Sequence, residues 1–360
     1  MKCTLTQRLD ETRGRASGFD VLRLTLAIGV LMVHSVDIAH GLAAGDELFS
    51  SVLRPFVRIK LPMFFAISGF LVTASFVKAP GMAQFLWQRA LRIYPALVAA
   101  VLVFSFVIGP AFTVFSTSHY LTDPLLARYL LNATGCSISF ELPGVFGANP
   151  HPRTVNTQLW TLPFELGCYL LLVLVATVVT RGRATCLLLL TLLSSAGLFL
   201  YKVRAQGWVP VPPGPVSGYL LMSCFLAGAW LYLCRDRMPY CPRLFGLSLA
   251  ASLLLLGVVP GGDHLAALPV AYATVYLGLR NPRRGVYASG ARFSYGIYLY
   301  GFAVQQAVAS VGWVPRVWYL NFALGGLITL ALAVLSYHLV EAPTLRRLKT
   351  FAGFRRPVAT

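Results

Sequence analysis

Charge is scarce in this chain. Asp, Glu, Lys and Arg together make up 12% of its 360 residues, about half the share of an ordinary soluble domain. Acidic side chains are the rarest part of that, 12 against 30 Lys and Arg. So little charge cannot cover a water-facing surface, which excludes a soluble fold. The seven cysteines show neither a disulfide framework nor metal-ligand spacing. No internal repeat of the kind many transporters carry is visible. A small-residue cleavage site is also missing behind the polar, basic residues 1–18, so the first apolar run reads as a retained span and not a signal peptide.

What is present is apolar. Hydrophobic residues make up 57% of the chain and the mean hydropathy is +0.70. Apolar segments long enough to cross about 30 Å of hydrocarbon recur near 19–40, 56–77, 93–116, 159–180, 184–200, 216–234, 244–260, 265–279, 293–311 and 318–340. The expectation is an all-α integral membrane protein, a bundle of about ten transmembrane helices at residues 19–343. A cytoplasmic segment at 1–18 precedes it and a basic tail at 344–360 comes after it.

The net charge of +18 raises nucleic acid as a partner, but no basic soluble module exists to bind one. The cations instead alternate with the spans. One side collects Lys2, Arg8, Arg13 and Arg15, then Lys78, Arg89 and Arg92, then Arg181 and Arg183. It continues with Arg235, Arg237 and Arg243, then Arg280, Arg283, Arg284 and Arg292, and ends with Arg346, Arg347, Lys349, Arg355 and Arg356. The other side has Arg54, Arg58, Lys60, Arg128, Arg153, Lys202, Arg204 and Arg316. This is the positive-inside pattern, and it puts both termini in the cytoplasm.

Polar residues inside the spans are the informative set. Arg23 and His34 sit eleven positions apart in the first span, so they share one face at depths differing by about 16 Å. Such residues should face the bundle interior or a watery cavity. Ser68-Gly69 interrupts an apolar run, either as a bend or as a small-residue packing contact. Arg89 and Arg92 share a helical face before Pro95 and suit a phosphate-rich ligand or simple anchoring at the inner surface. Glu165 comes after Trp160 just inside the fourth span, where a carboxylate needs a cationic or histidine partner, a proton-transfer role or a structural ion pair. Tyr295, Tyr298 and Tyr300 lie in the ninth span, as pocket lining or as an aromatic belt. Glu341, before Pro343, is expected to pair with Arg346 or Arg347. His40, His119, His151 and His264 are expected to be solvated. The long outer loop, about 117–158, could cover a site from outside.

These residues resemble the acyltransferase-3 family, multispan enzymes that O-acylate polysaccharides and other exported molecules. The likeness is carried by FDVLR at Phe19 to Arg23 with His34, ISGFL at 67–71, RALRIYP at 89–95, LWTLPFEL at 159–166, SYGIYLYGF at 294–302 and HLVEAP at 338–343. One departure is Gly301, where many relatives have histidine. The esterase-like domain appended in some relatives is expected to be absent. The resemblance implies no tightly bound cofactor, a cytoplasmic acyl-CoA donor, most often acetyl-CoA, and a hydroxyl acceptor on a glycan or lipid-linked molecule outside the bacterial inner membrane. It makes His34 the general base or transient acyl carrier, with Arg23 orienting the donor or stabilising charge. Arg89 and Arg92 would hold the CoA phosphates, and Glu165 would tune a partner. Ser68, Gly69, Trp160, Tyr295 and Tyr298 would line the pocket, with Asp20 and Glu341 in support. Two other classes compete: a proton-coupled transporter or flippase, and a structural membrane subunit. Acyl transfer from acetyl-CoA discriminates them.

Overall fold

Each of the ten apolar segments forms a helix in the computed structural model, which describes residues 3–12, 16–79, 81–207, 214–282 and 290–351. Lys2, Arg13, Arg15, Arg283, Arg284, Arg355 and Arg356, and with them residues 352–360 of the basic tail, lie outside the described residues, as does the side chain of Lys349. The helices are α1 Ser17–His40, α2 Lys60–Lys78, α3 Met82–Val103, α4 Leu162–Val178, α5 Arg183–Gln206, α6 Gly218–Leu233, α7 Pro242–Gly257, α8 Ala267–Gly278, α9 Ser294–Ser310 and α10 Trp318–Ser336. The described residues contain no β-strand, only isolated bridges.

Ten full crossings cannot be drawn from this. Among the described residues, six helices are long and apolar enough to span: α1, α2 with the short helix Arg54–Arg58 before it, α3, α4, α5 and α10. The other four have 12 to 17 residues. At 1.5 Å per residue the shortest covers about 18 Å, well under the hydrocarbon thickness. Sequence hydropathy counted these as spans because α6, α8 and α9, largely buried, are as apolar as lipid-facing helices, and α7 is apolar as well, with Leu247 and Leu254 exposed.

α9 is the buried axis. Nearly all its residues are shielded, and it packs against α1, α10 and α3. α2 is the second internal helix, set between α6, α8 and α1. Its contact with α6 is close because small residues meet backbone: a Cβ on Gly69 would fall 2.0 Å from the Phe225 carbonyl oxygen, and one on Gly228 2.3 Å from that of Ala66. Without a hydrophobic drive in lipid, such close approach is what holds helices together. α5 and α10 turn Leu192, Leu193, Leu327 and Leu335 outward, as a lipid-facing surface requires.

Two helices widen locally into π turns, Phe104–Ile108 after α3 and Tyr337–Glu341 after α10. A π turn adds a residue and rotates the side chains beyond it. Here it buries the Glu341 side chain.

Candidate active site

Two adjoining cavities run through the bundle, and between them they hold every polar residue that the sequence placed on the first stripe. The first, about 890 Å³, is lined by Arg23 of α1, Ser68 of α2, Arg89 and Arg92 of α3, Glu165 and Tyr169 of α4, and Tyr295 and Tyr298 of α9. Three guanidiniums therefore converge from two helices, and the cavity wall supplies one carboxylate. That carboxylate is engaged, since Tyr169, one turn further along α4, donates a hydrogen bond to Glu165 Oε1. Arg89 Nη2 donates to Ser75 Oγ at 3.4 Å, and its buried Nε makes no hydrogen bond. Arg92 lies over the Tyr295 ring at 5.8 Å. The Tyr295 hydroxyl donates to the Ile93 carbonyl at 3.3 Å. Glu341, expected beside Arg346 or Arg347, instead lies 3.9 Å from Arg92 Nη1, because the π turn aims it inward. A cavity with an excess of fixed positive charge suits an anionic ligand.

The second cavity, about 1010 Å³, is lined by His34 and Asp37 of α1, Arg58 and Lys60 before and at the start of α2, and His151, Gln158 and Trp160 of the long segment before α4. His34 Nδ1 is 3.7 Å and His151 Nδ1 3.3 Å from the same Asp37 oxygen, Oδ2. Both rings meet Phe302 edge-on, at centroid distances of 5.0 and 5.3 Å. Arg58 is buried and pairs with Asp263 Oδ2 at 3.1 Å, while Lys202 reaches both Asp263 oxygens at 3.4 Å.

His151 corrects the expectation of a solvated loop histidine: it is 8% exposed. The reason is a set of hydrogen bonds from the loop to α9. Gln306 Nε2 donates to the carbonyls of His151 and Thr154, each at 2.8 Å, and Asn149 Nδ2 donates to Gln306 Oε1 at 2.7 Å. Asn156 Nδ2 donates to the Leu299 carbonyl at 2.7 Å. A left-handed backbone at Arg153, φ 59°, closes the turn. His264 is a second correction. It is buried beside Asp263, and burial, with Lys202 and Arg58 nearby, pushes its pKa down against the pull of Asp263. His40 and His119 are exposed.

Leu61 and Tyr298 line both cavities. The Tyr298 hydroxyl is 2.8 Å from Thr161 Oγ1 and donates to the Gln158 carbonyl at 3.1 Å, so the junction is a fixed tyrosine. Of the residues singled out in the sequence, Arg23, Ser68, Arg89, Arg92, Glu165, Tyr295 and Tyr298 meet in the first cavity. His34 and Trp160 lie in the second. Gly69 lines neither and packs on α6, and Asp20 sits one turn before Arg23 on α1 without lining either cavity. Position 301 faces Leu31, 2.7 Å from a built Cβ, and Gln158 Nε2 at 3.8 Å. Sequence reasoning missed Asp37, Tyr169 and His151. The first two had a local signal, a partner three or four residues away on one helix face; His151 had none.

A family model described as "Acyltransferase domain" matches residues 17–338. The chain is 25% identical over 344 residues to an "O-acetyl transferase" of Shigella phage Sf6, covering 92% of this chain and 97% of that protein. It is 28% identical over 382 residues to "Nodulation protein 10" of Rhizobium leguminosarum bv. viciae, covering 97% of this chain and 99% of that one. No solved structure matches the chain significantly.

Proposed function

The chain belongs to the acyltransferase family whose model spans it, and from that premise we propose that this O-acyltransferase takes its acyl group, most often acetyl, from cytoplasmic acyl-CoA. The acceptor is a hydroxyl of a glycan, or of a lipid-linked precursor, on the outer side of the bacterial inner membrane. The observation that carries this reading is the pair of cavities, one rich in arginine and one in histidine, meeting at Leu61 and Tyr298. With both termini in the cytoplasm, as the positive-inside pattern suggests, the arginine cavity opens toward the donor. Arg89 and Arg92 then hold CoA phosphates, and Arg23 orients the arm of the donor or meets charge that develops on it.

The acyl group reaches the histidine cavity past Tyr298. His34 takes the proton of the acceptor hydroxyl as general base. The hydroxyl oxygen attacks the thioester carbon, the C–S bond breaks, and the departing thiolate takes the proton back from the imidazolium. Acyl-CoA and alcohol become ester and CoA thiol, with no other reactant. A transient acyl-His34 is the variant in which the imidazole itself attacks first. The envelope glycans of a strain lacking this protein test the reading by mass spectrometry. Loss of one acetyl substituent, restored by wild type and not by His34→Ala, is expected; an unchanged glycan profile would overturn it.

A further inference from the structure

Asp37 has no place in the reaction above, yet it is the acid nearest to His34 in the second cavity. It lies three residues further along α1, so helix geometry alone puts the two side chains on one face. His151, on a separate part of the chain, reaches the same carboxylate oxygen. The Nδ1 atoms of both imidazoles are buried without a hydrogen bond, as is Asp37 Oδ1. Among the described residues, Oδ2 of Asp37 is the one ion-pair partner within 4 Å of each Nδ1. A buried carboxylate needs such partners to stay charged, and an imidazole whose Nδ1–H points at a carboxylate keeps its Nε2 lone pair free.

We propose that Asp37 is the positioning residue of His34, and that His151 locks this carboxylate from the outer loop, so that the loop completes the catalytic centre. This rests on the reading of His34 as base. Asp37 holds the proton of neutral His34 on Nδ1 and leaves Nε2 to accept the acceptor's proton, and it then faces the imidazolium while the C–S bond breaks. Asp37 itself gains no proton. His151 is set by the Gln306 and Asn149 bonds to α9, so the spacing of the three groups depends on loop and helix together. The same Asp37 oxygen cannot be drawn toward solvent while His151 holds it. Phe302 closes one side, with an aromatic edge against each imidazole.

The test uses the full chain in inverted membrane vesicles of expressing cells, with radiolabelled acetyl-CoA as donor and label read in the glycan fraction. Transfer by wild type, lost in His34→Ala, supports the function proposed above; without it that reading fails first. Given that transfer, Asp37→Asn is expected to lower kcat by about a hundredfold or more and His151→Gln by about tenfold, with the KM for acetyl-CoA within about twofold of wild type. Asp37→Glu, which keeps the carboxylate, should recover at least about a tenth of the wild-type rate. The proposal is overturned if Asp37→Asn and His151→Gln both keep wild-type kcat, if KM for the donor rises in step with the loss, or if folded Asp37→Glu is as inactive as Asp37→Asn. Where Asp37→Asn fails to accumulate in the membrane, His151→Gln carries the test on the same kcat and KM criteria.

Discussion

At the scale of residues, the proposed reaction asks for a base on one side of the membrane and an anion cradle on the other. His34→Ala should abolish transfer, a loss of about a hundred- to ten-thousandfold, while membrane insertion and thermal unfolding in detergent stay close to wild type. Arg89→Ala and Arg92→Ala together should raise the KM for acetyl-CoA by about tenfold or more, as expected for lost charged hydrogen bonds, with a smaller change in kcat. An unaltered donor KM would return both arginines to anchoring the helix at the inner surface. The Arg23 and His34 stripe was legible because helix periodicity acts within one segment. Tyr169 against Glu165 was within the same reach but needed attention to the next turn. The Arg92 to Glu341 approach was not legible, since a π turn changes which way Glu341 faces and periodicity assumes a regular helix.

At the scale of elements, the long segment before α4 behaves as part of the bundle. Gln306 and Asn149 tie it to α9, and they put a histidine read as solvated inside the second cavity. Nothing local in the sequence reports that, because Asn149 and Gln306 lie 157 residues apart. Gln306→Leu removes the two hydrogen bonds to the His151 and Thr154 carbonyls. Limited proteolysis should then cut within residues 147–154 at least about tenfold faster than in wild type; an unchanged rate would show that the loop is held by other contacts. The α2 to α6 contact makes a second, independent demand. Gly69→Val places side-chain atoms where the Phe225 carbonyl stands and should lower the unfolding temperature in detergent by several degrees, as overpacking costs of about 1–3 kcal/mol imply. Here the bland reading of Ser68-Gly69 as a packing contact holds for the glycine, while the serine faces the first cavity.

At the scale of the whole molecule, topology decides which cavity would meet the proposed donor. The positive-inside pattern was readable because it needs only the order of cations and spans. The count of ten crossings was less secure, since helices of 12 to 17 residues, three of them largely buried, share the hydropathy of spans. Val52, between α1 and the short helix Arg54–Arg58, is exposed and serves as a reporter position. In intact cells a membrane-impermeant maleimide should label Val52→Cys placed in a chain whose own cysteines are replaced by serine, and no label should appear in the cysteine-free parent. Labelling only after the cells are opened would invert the assignment of donor and acceptor sides.

The most direct measurement is single-turnover acyl transfer by purified protein in liposomes, with radiolabelled acetyl-CoA supplied on the side of the arginine cavity and envelope glycan on the side of the histidine cavity. The account predicts label on glycan with wild type, none with His34→Ala, and none when the donor is supplied only on the acceptor side. Equal transfer by His34→Ala, or transfer that does not depend on the side of supply, would contradict it.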